Sequence, residues 1–522
     1  MENLEVLAKE LQDLNTEYSR LNWAKYTTGL DFGVNDAFNH IVDLLKSNHH
    51  WDTIQDCKET ETDPVNVRKT LIMERDFKPF HLSENLNKLS VDIQHLTSKL
   101  SAVLNTHRCK VNGMEMSSPD IARILSTSQD RELRKEAFLS RVQISKPLID
   151  TGFLDLVGLR KEYALEMGAS DFVQHSLEEQ ELEPDMFSLW QEELHNILPL
   201  MKKVRSQFAE EYIKADEVMP WDEAFIASSI APELNSLMDM SGFLMPIDKL
   251  FKKFGFDITA MNITYDVFPR KNKSEWGYNF TIQTGIDSRI LANVKDRFSG
   301  YGVLLHETGH AVHSFTSDPG EIILNKGISG IVSEGIANLF GSFRGRKIFY
   351  SQFFGNNTEE AVRHFNELKR WTRASQLMAL ERIFFDQNIY RTDLKDLDDI
   401  NQLFWDNRKN LFGEDPYADQ PVWANTIHYT THPIYLHNYL LGDLTCDMLE
   451  EVFLRKESIA DVMENPIAFG DFVKNEVIKP SGMYPFPELF KRISGEDLSL
   501  SFLTGKIRET ISSHTVHHPA VY

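Results

Sequence analysis

The chain carries His306-Glu307-Thr308-Gly309-His310 inside an apolar run, 301–315. No other segment restricts the fold so tightly. Histidines four apart lie one above the other on a helix face, where both imidazoles can bind one metal ion. The glutamate between them stands beside that ion, placed to take a proton from water. Val303, Leu304, Leu305, Ala311, Val312 and Phe315 surround the motif, so the helix that bears it belongs in a protein interior. With 18 His and 78 acids among 522 residues, composition alone supplies about 0.1 such match per chain. The competing explanation is a buried helix whose histidines bond only to neighbouring groups.

A zinc site of this type needs a third protein ligand. The extended pattern with Gly at 313 and His at 316 is excluded, because His313 and Thr316 stand there. The other route takes a glutamate from a following helix, leaving the fourth position to water. Ile331-Val332-Ser333-Glu334-Gly335-Ile336-Ala337-Asn338-Leu339-Phe340 reads as an apolar helix with one acid. Burying a lone carboxylate is costly unless a cation or partner meets it, so Glu334 is the expected ligand. Glu321 is nearer, but Asp318-Pro319-Gly320 places it in a turn. His313, one turn past His310, reads as a core histidine rather than a ligand.

His306 through Ser314, followed by Ser333-Glu334-Gly335, resembles the thimet oligopeptidase and oligoendopeptidase F family of zinc peptidases. The likeness extends upstream through Val267-Phe268-Pro269-Arg270-Lys271-Asn272-Lys273, Trp276-Gly277-Tyr278-Asn279-Phe280 and Ile290-Leu291-Ala292-Asn293. Downstream, His428-Tyr429-Thr430-Thr431-His432-Pro433-Ile434-Tyr435-Leu436-His437-Asn438-Tyr439 is similar to the histidine and tyrosine stretch of the oligoendopeptidase F branch. Asp130-Arg131-Glu132-Leu133-Arg134-Lys135-Glu136-Ala137-Phe138 is a weaker match. The chain departs from many members in having Thr308 for a larger residue and Gly335-Ile336 for Pro-Ser. The resemblance implies a mainly α, zincin-type metallopeptidase: two helical lobes around a deep substrate cleft, with a small β-sheet beside the metal helix. It implies one Zn2+ per chain held by His306, His310 and Glu334, and Glu307 as the catalytic base. It further implies His428 and Tyr435 as catalytic contacts, and Tyr439, Tyr429, Leu291 and Ala292 as substrate-binding residues.

The chemistry also follows from the residue types. Zinc on three protein groups lowers the pKa of its water to about 7. Glu307 would accept the proton as water attacks a peptide carbonyl, then deliver it to the leaving amine. Tyr and His suit the developing oxyanion because they donate hydrogen bonds without a strong fixed charge. Tyr435 and Tyr439 would share a helix face if a helix begins after Pro433. His428 and His432 are four apart, but no acid lies between them and Pro433 disfavours helical geometry at His432, so a second metal is not expected. The terminal His514, His517 and His518 read as a solvated tail.

Two short strands, 278–282 and 289–294, flank a turn at Gly285-Ile286-Asp287. They either dock an extended peptide or merely support the metal helix. Elsewhere the pattern is helical. Leu4, Leu7, Leu11, Leu14, Tyr18 and Leu21 form a heptad seam, too short to require a dimer. Amphipathic stretches cover 81–104, 117–146, 150–167, 185–214, 358–392 and 435–455, and 406–423 reads as a loop. Residues 1–522 are expected to form one catalytic unit, with an N-terminal helical lobe over 1–180 and the metallopeptidase region over 181–522. The net charge of −23 repels nucleic acid phosphates. No leader segment and no apolar run of about 18 residues stands out, and Cys57, Cys109 and Cys446 offer no disulfide framework. The expected protein is a cytoplasmic, zinc-dependent oligoendopeptidase for short peptides, with no membrane and no obligate protein partner. A zinc carboxypeptidase of related helical fold, releasing single residues or dipeptides, is the alternative. A non-catalytic binding protein would have no need of Glu307.

Overall fold

The structure, a computed structural model, describes residues 1–230, 239–274, 277–294, 298–354 and 358–512. Trp276 and the 514–518 histidine cluster lie outside the described residues. Helices dominate, and none among the described residues is long and apolar enough to cross a membrane. The chain forms two compact units, each assembled from separate stretches. One comprises Met1–Glu84, Glu233–Glu359 and Leu441–Leu498; the other comprises Asn85–Pro232, Glu360–Leu440 and Ser499–Tyr522.

In the first unit the heptad seam lies on the helix Glu2–Thr28. Leu4, Leu7 and Leu11 are buried with Ile41, Leu44, Ile54, Ile72, Met73, Phe77 and Ile323. The seam therefore closes its own unit's core. Gly29, left-handed at φ 75°, ends that helix, a conformation that costs glycine little. Asp63 caps the helix Pro64–Phe77 by accepting from two backbone amides, with proline in its first turn.

The sheet has Asp287–Leu291 in the middle, paired parallel with Ile263–Asp266 and antiparallel with Tyr278–Gln283. Aromatic contacts fasten the Glu2–Thr28 helix to the Tyr278–Gln283 strand: Trp23 meets Phe280 at 5.5 Å and Tyr26 meets Tyr278 at 5.3 Å between ring centroids. The hairpin turn is tied to the metal helix by the Gly285 amide, which donates to the Ser314 carbonyl at 3.0 Å.

In the second unit, Asp130 caps the helix Arg131–Leu139. Arg131 and Arg134 both pair with the buried Asp222, at 2.7 and 2.9 Å. The stretch from Asp130 to Phe138 thus carries a structural anchor. Several helical expectations shift. The 117–146 stretch breaks into Ser118–Thr127 and Arg131–Leu139 with a 3-10 turn after them, and 358–392 breaks into Thr358–Ser375 and Leu380–Arg391. The expected loop from 406 is helical as far as Phe412, where left-handed Gly413 ends the helix Leu397–Phe412. The 428–439 stretch forms a single turn, His428–Thr431, and the long helix starts only at His437. Tyr435 therefore precedes that helix instead of sharing a face with Tyr439.

Candidate metal centre

The motif helix, Ser299–Thr316, lies against Gly330–Ser342 with little between them. Glycines allow the approach. A Cβ on Gly309 would stand 2.9 Å from Ala337 Cα, and one on Gly341 would stand 3.3 Å from His306 Cβ. On the far side of Glu334, a Cβ on Gly442 would come within 2.9 Å of the glutamate's own Cβ. Backbone contact at these points brings the two helices' side chains to one place.

His306 Nε2 lies 3.6 Å from one Glu334 carboxylate oxygen, and His310 Nε2 lies 4.0 Å from the other. Donors on a tetrahedral zinc with bonds of about 2.1 Å stand roughly 3.4 Å apart. Among the described residues, His306, His310 and Glu334 form the one group of His, Cys, Asp or Glu gathered closely enough to hold a metal. Glu321 is elsewhere, paired with Lys69 at 3.0 Å. His313 is buried and stays outside the group.

His310 is held from behind. His310 Nδ1 meets the Ser333 hydroxyl at 2.8 Å, and His306 hydrogen-bonds Asn338. Asn338 in turn donates to Asp443 Oδ1 at 3.0 Å. The Ser333 contact fixes the His310 ring and directs its other nitrogen at the metal position. Asn338 follows Glu334 by one helical turn, so its spacing was a usable signal. Asp443 lies 105 residues from Asn338, and no local pattern points to it.

Burial sets the electrostatics. It pushes the Glu307 carboxyl up to about 8, with Glu334 adding to the push. It pushes Glu334 up to about 7, Asp443 adding. Burial also holds His306 down to about 4 and His310 well below its ordinary value. Neutral imidazoles are the form that binds metal, and a divalent cation is the partner that would let these buried carboxylates ionise. The donor set thus fits zinc: two imidazoles and one carboxylate. Glu307 is itself largely buried. Gly277 is a close neighbour: a methyl there would make an ordinary contact with Glu307 Oε1, at 3.5 Å. Thr308 is fully buried and meets the Tyr265 hydroxyl at 3.1 Å.

His428, Tyr429, Tyr435 and Tyr439 belong to the second unit. His428 Nε2 meets the Tyr439 hydroxyl at 3.2 Å. Tyr435 stacks on His428, ring centroids 6.5 Å apart, and meets Tyr439 edge-on at 5.6 Å. Burial, with His432 and Arg382 nearby, holds His428 down to about 4, hence neutral. His432 turns instead to Thr431, at 2.8 Å. Tyr429 is buried, with its ring against Phe385, and offers a substrate no side-chain surface. Leu291 and Ala292 are fully buried; Leu291 ends the middle strand and Ala292 directly follows it. The sheet edges are Ile263–Asp266 and Tyr278–Gln283.

No protein-family model and no curated protein sequence matches the chain. Solved structures do. PZ peptidase A with an inhibitor aligns over 97% of this chain and 91% of its own, with a TM-score of 0.76 and 16% identity. An oligoendopeptidase F structure aligns over 98% and 93%, with a TM-score of 0.73 and 16% identity. The M32 carboxypeptidase from Deinococcus radiodurans R1 aligns over 98% and 99%, with a TM-score of 0.67 and 14% identity. The chain thus has the helical zincin-type fold that PZ peptidase, oligoendopeptidase F and M32 carboxypeptidase share.

Proposed function

We propose that this chain is a zinc-dependent oligoendopeptidase of the thimet oligopeptidase and oligoendopeptidase F family, cutting internal bonds of short peptides. The observation that carries the reading is the convergence of His306, His310 and Glu334, with Glu307 on the same helix as the two histidines. Those three residues would hold the metal. When bound, zinc supplies a Lewis acid that polarises a peptide carbonyl and acidifies water. Glu307 takes the proton of the attacking water on a carboxylate oxygen and passes it to the leaving nitrogen as the C–N bond breaks. Ser333 and Asn338 keep the imidazoles oriented throughout. His428, Tyr435 and Tyr439 are assigned to hydrogen-bonding the substrate and its oxyanion, on the strength of the sequence resemblance. An extended peptide would dock on a sheet edge, for which Tyr278–Gln283 is the candidate. We place the enzyme in the cytoplasm, a setting that suits the three buried free cysteines.

The similarity to M32 carboxypeptidase, which spans 98% of this chain, favours a second reading in which C-terminal residues are removed. Mass-spectrometric product mapping of peptides about nine to thirteen residues long separates the two, a length suited to extended-strand docking. Internal cuts lost on phenanthroline treatment and restored by zinc support the endopeptidase. Release of C-terminal residues alone transfers the assignment to a carboxypeptidase. A zinc-loaded protein that cleaves no peptide contradicts both.

A further inference from the structure

The backbone from Tyr429 to His437 is held by three side chains from distant parts of the second unit. Arg160, on the helix Phe153–Glu166, is buried and donates to the Tyr429 and Thr430 carbonyls and to the Tyr390 hydroxyl. Gln180, which follows the helix Phe172–Glu179, donates to the Ile434 carbonyl at 3.0 Å and accepts from His437 Nε2 at 3.0 Å. Asp386, on the helix Leu380–Arg391, accepts the Ile434 amide on Oδ2 at 2.8 Å.

The clamped residue is unusual. Ile434 has φ 52°, the left-handed region that a β-branched side chain avoids. Its side chain is buried, and both of its backbone hydrogen-bonding groups end on clamp residues. Asp386 itself is 1% exposed, and its Oδ1 has no hydrogen-bond partner among the described residues. Burying a carboxyl with one oxygen unbonded is unfavourable. Holding one backbone amide is a narrow task for such a group, unless the conformation of that residue matters. The residue directly after it is Tyr435, stacked on His428 and edge-on to Tyr439. A relaxed Ile434 would swing the tyrosine away from both.

We infer that Asp386, with Gln180 completing the clamp, is a positioning residue that locks Ile434 left-handed and thereby aims the Tyr435 hydroxyl. The role given to Tyr435 rests on the peptidase reading; the clamp itself does not.

Asp386→Asn keeps an acceptor for the Ile434 amide, whereas Asp386→Ala removes it. With an internally quenched peptide and the full-length zinc protein, Asp386→Ala should lose about 30-fold or more in kcat with KM little changed, and Asp386→Asn should stay within about three-fold of wild type. Hydrogen exchange over 430–437 gives a reading that needs no activity. The Ile434 amide should lose protection in Asp386→Ala and keep it in Asp386→Asn. Should Asp386→Ala not fold, Gln180→Ala carries the same two measurements, with both effects expected. Wild-type kcat in the alanine variant, or an amide still protected there, overturns the inference. Wild-type protein without chelator-sensitive cleavage refutes the peptidase reading alone, and exchange still decides the clamp.

Discussion

At His310 the Ser333 hydroxyl occupies Nδ1 at 2.8 Å, so that Nε2 is the nitrogen left to face Glu334. His306 hydrogen-bonds Asn338, itself fixed by Asp443. The ligand types were legible in the sequence because metal chemistry accepts few side chains and a helix repeats in a known way. Their supports were less so: Ser333 and Asn338 sit at helical spacings in an obvious segment, while Asp443 comes from another helix. Removing either support should weaken the metal without unfolding the protein. Ser333→Ala and Asn338→Ala are each expected to reduce zinc affinity about 10- to 100-fold, measured by competition with a chromogenic chelator. Unchanged affinity in both would mean that the rings are oriented by packing alone.

At the scale of elements, the motif helix and its partner were readable because both are apolar runs with isolated polar residues. Their contact was not, since glycine in a helix advertises nothing about what approaches it. Gly309→Ala should raise intrinsic helix propensity by about 1 kcal/mol. The new Cβ would nevertheless meet Ala337 Cα at 2.9 Å. The expected net result is a loss of about 1–3 kcal/mol, read as a lower Tm with diminished zinc binding. A stabilised variant would show that the helices can part freely. The hairpin Tyr278–Gln283 and Asp287–Leu291 was recognisable from alternation and the Gly285 turn. The parallel pairing of Ile263–Asp266 with the middle strand was not, because non-local pairing leaves no local trace. A second hairpin, Cys109–Val111 with Met114–Met116, turns on Asn112 and Gly113, both at positive φ. Asn-Gly is the strongest short hairpin signal, and it stood in plain view. The 428–439 stretch differs from expectation because Ile434 adopts a conformation that no propensity for isoleucine would suggest.

For the whole molecule, the fold class was legible through the family resemblance that the motif, the Glu334 segment and their flanking stretches carry, whereas the interleaving of two units from six stretches of chain was not. Contacts such as Arg160 to Thr430 or Asp386 to Ile434 span hundreds or tens of residues, and each side chain alone reads as an ordinary helix charge. Asp386 also marks stability with a pH dependence. Burial pushes its carboxyl up to about 7, against the lowering effects of the Ile434 amide and Arg160; Tyr390 and Tyr429 are the other titratable groups that feel it. The folded state then holds this proton more tightly than the unfolded chain. Its contribution is complete below about pH 4 and fades as pH rises through about 7. Asp386→Asn should accordingly raise Tm relative to wild type at pH 8, with the gain shrinking by pH 5; an equal difference at both pH values would place the carboxyl's titration elsewhere. The central claim is that one metal, held by His306, His310 and Glu334, works with Glu307 as the base. Zinc content and peptide turnover measured side by side in wild type and Glu307→Gln test it most directly. The account predicts one zinc per chain in both proteins and a turnover loss of about 1,000-fold or more in the variant. A variant that keeps its zinc and still turns over at the wild-type rate would contradict it.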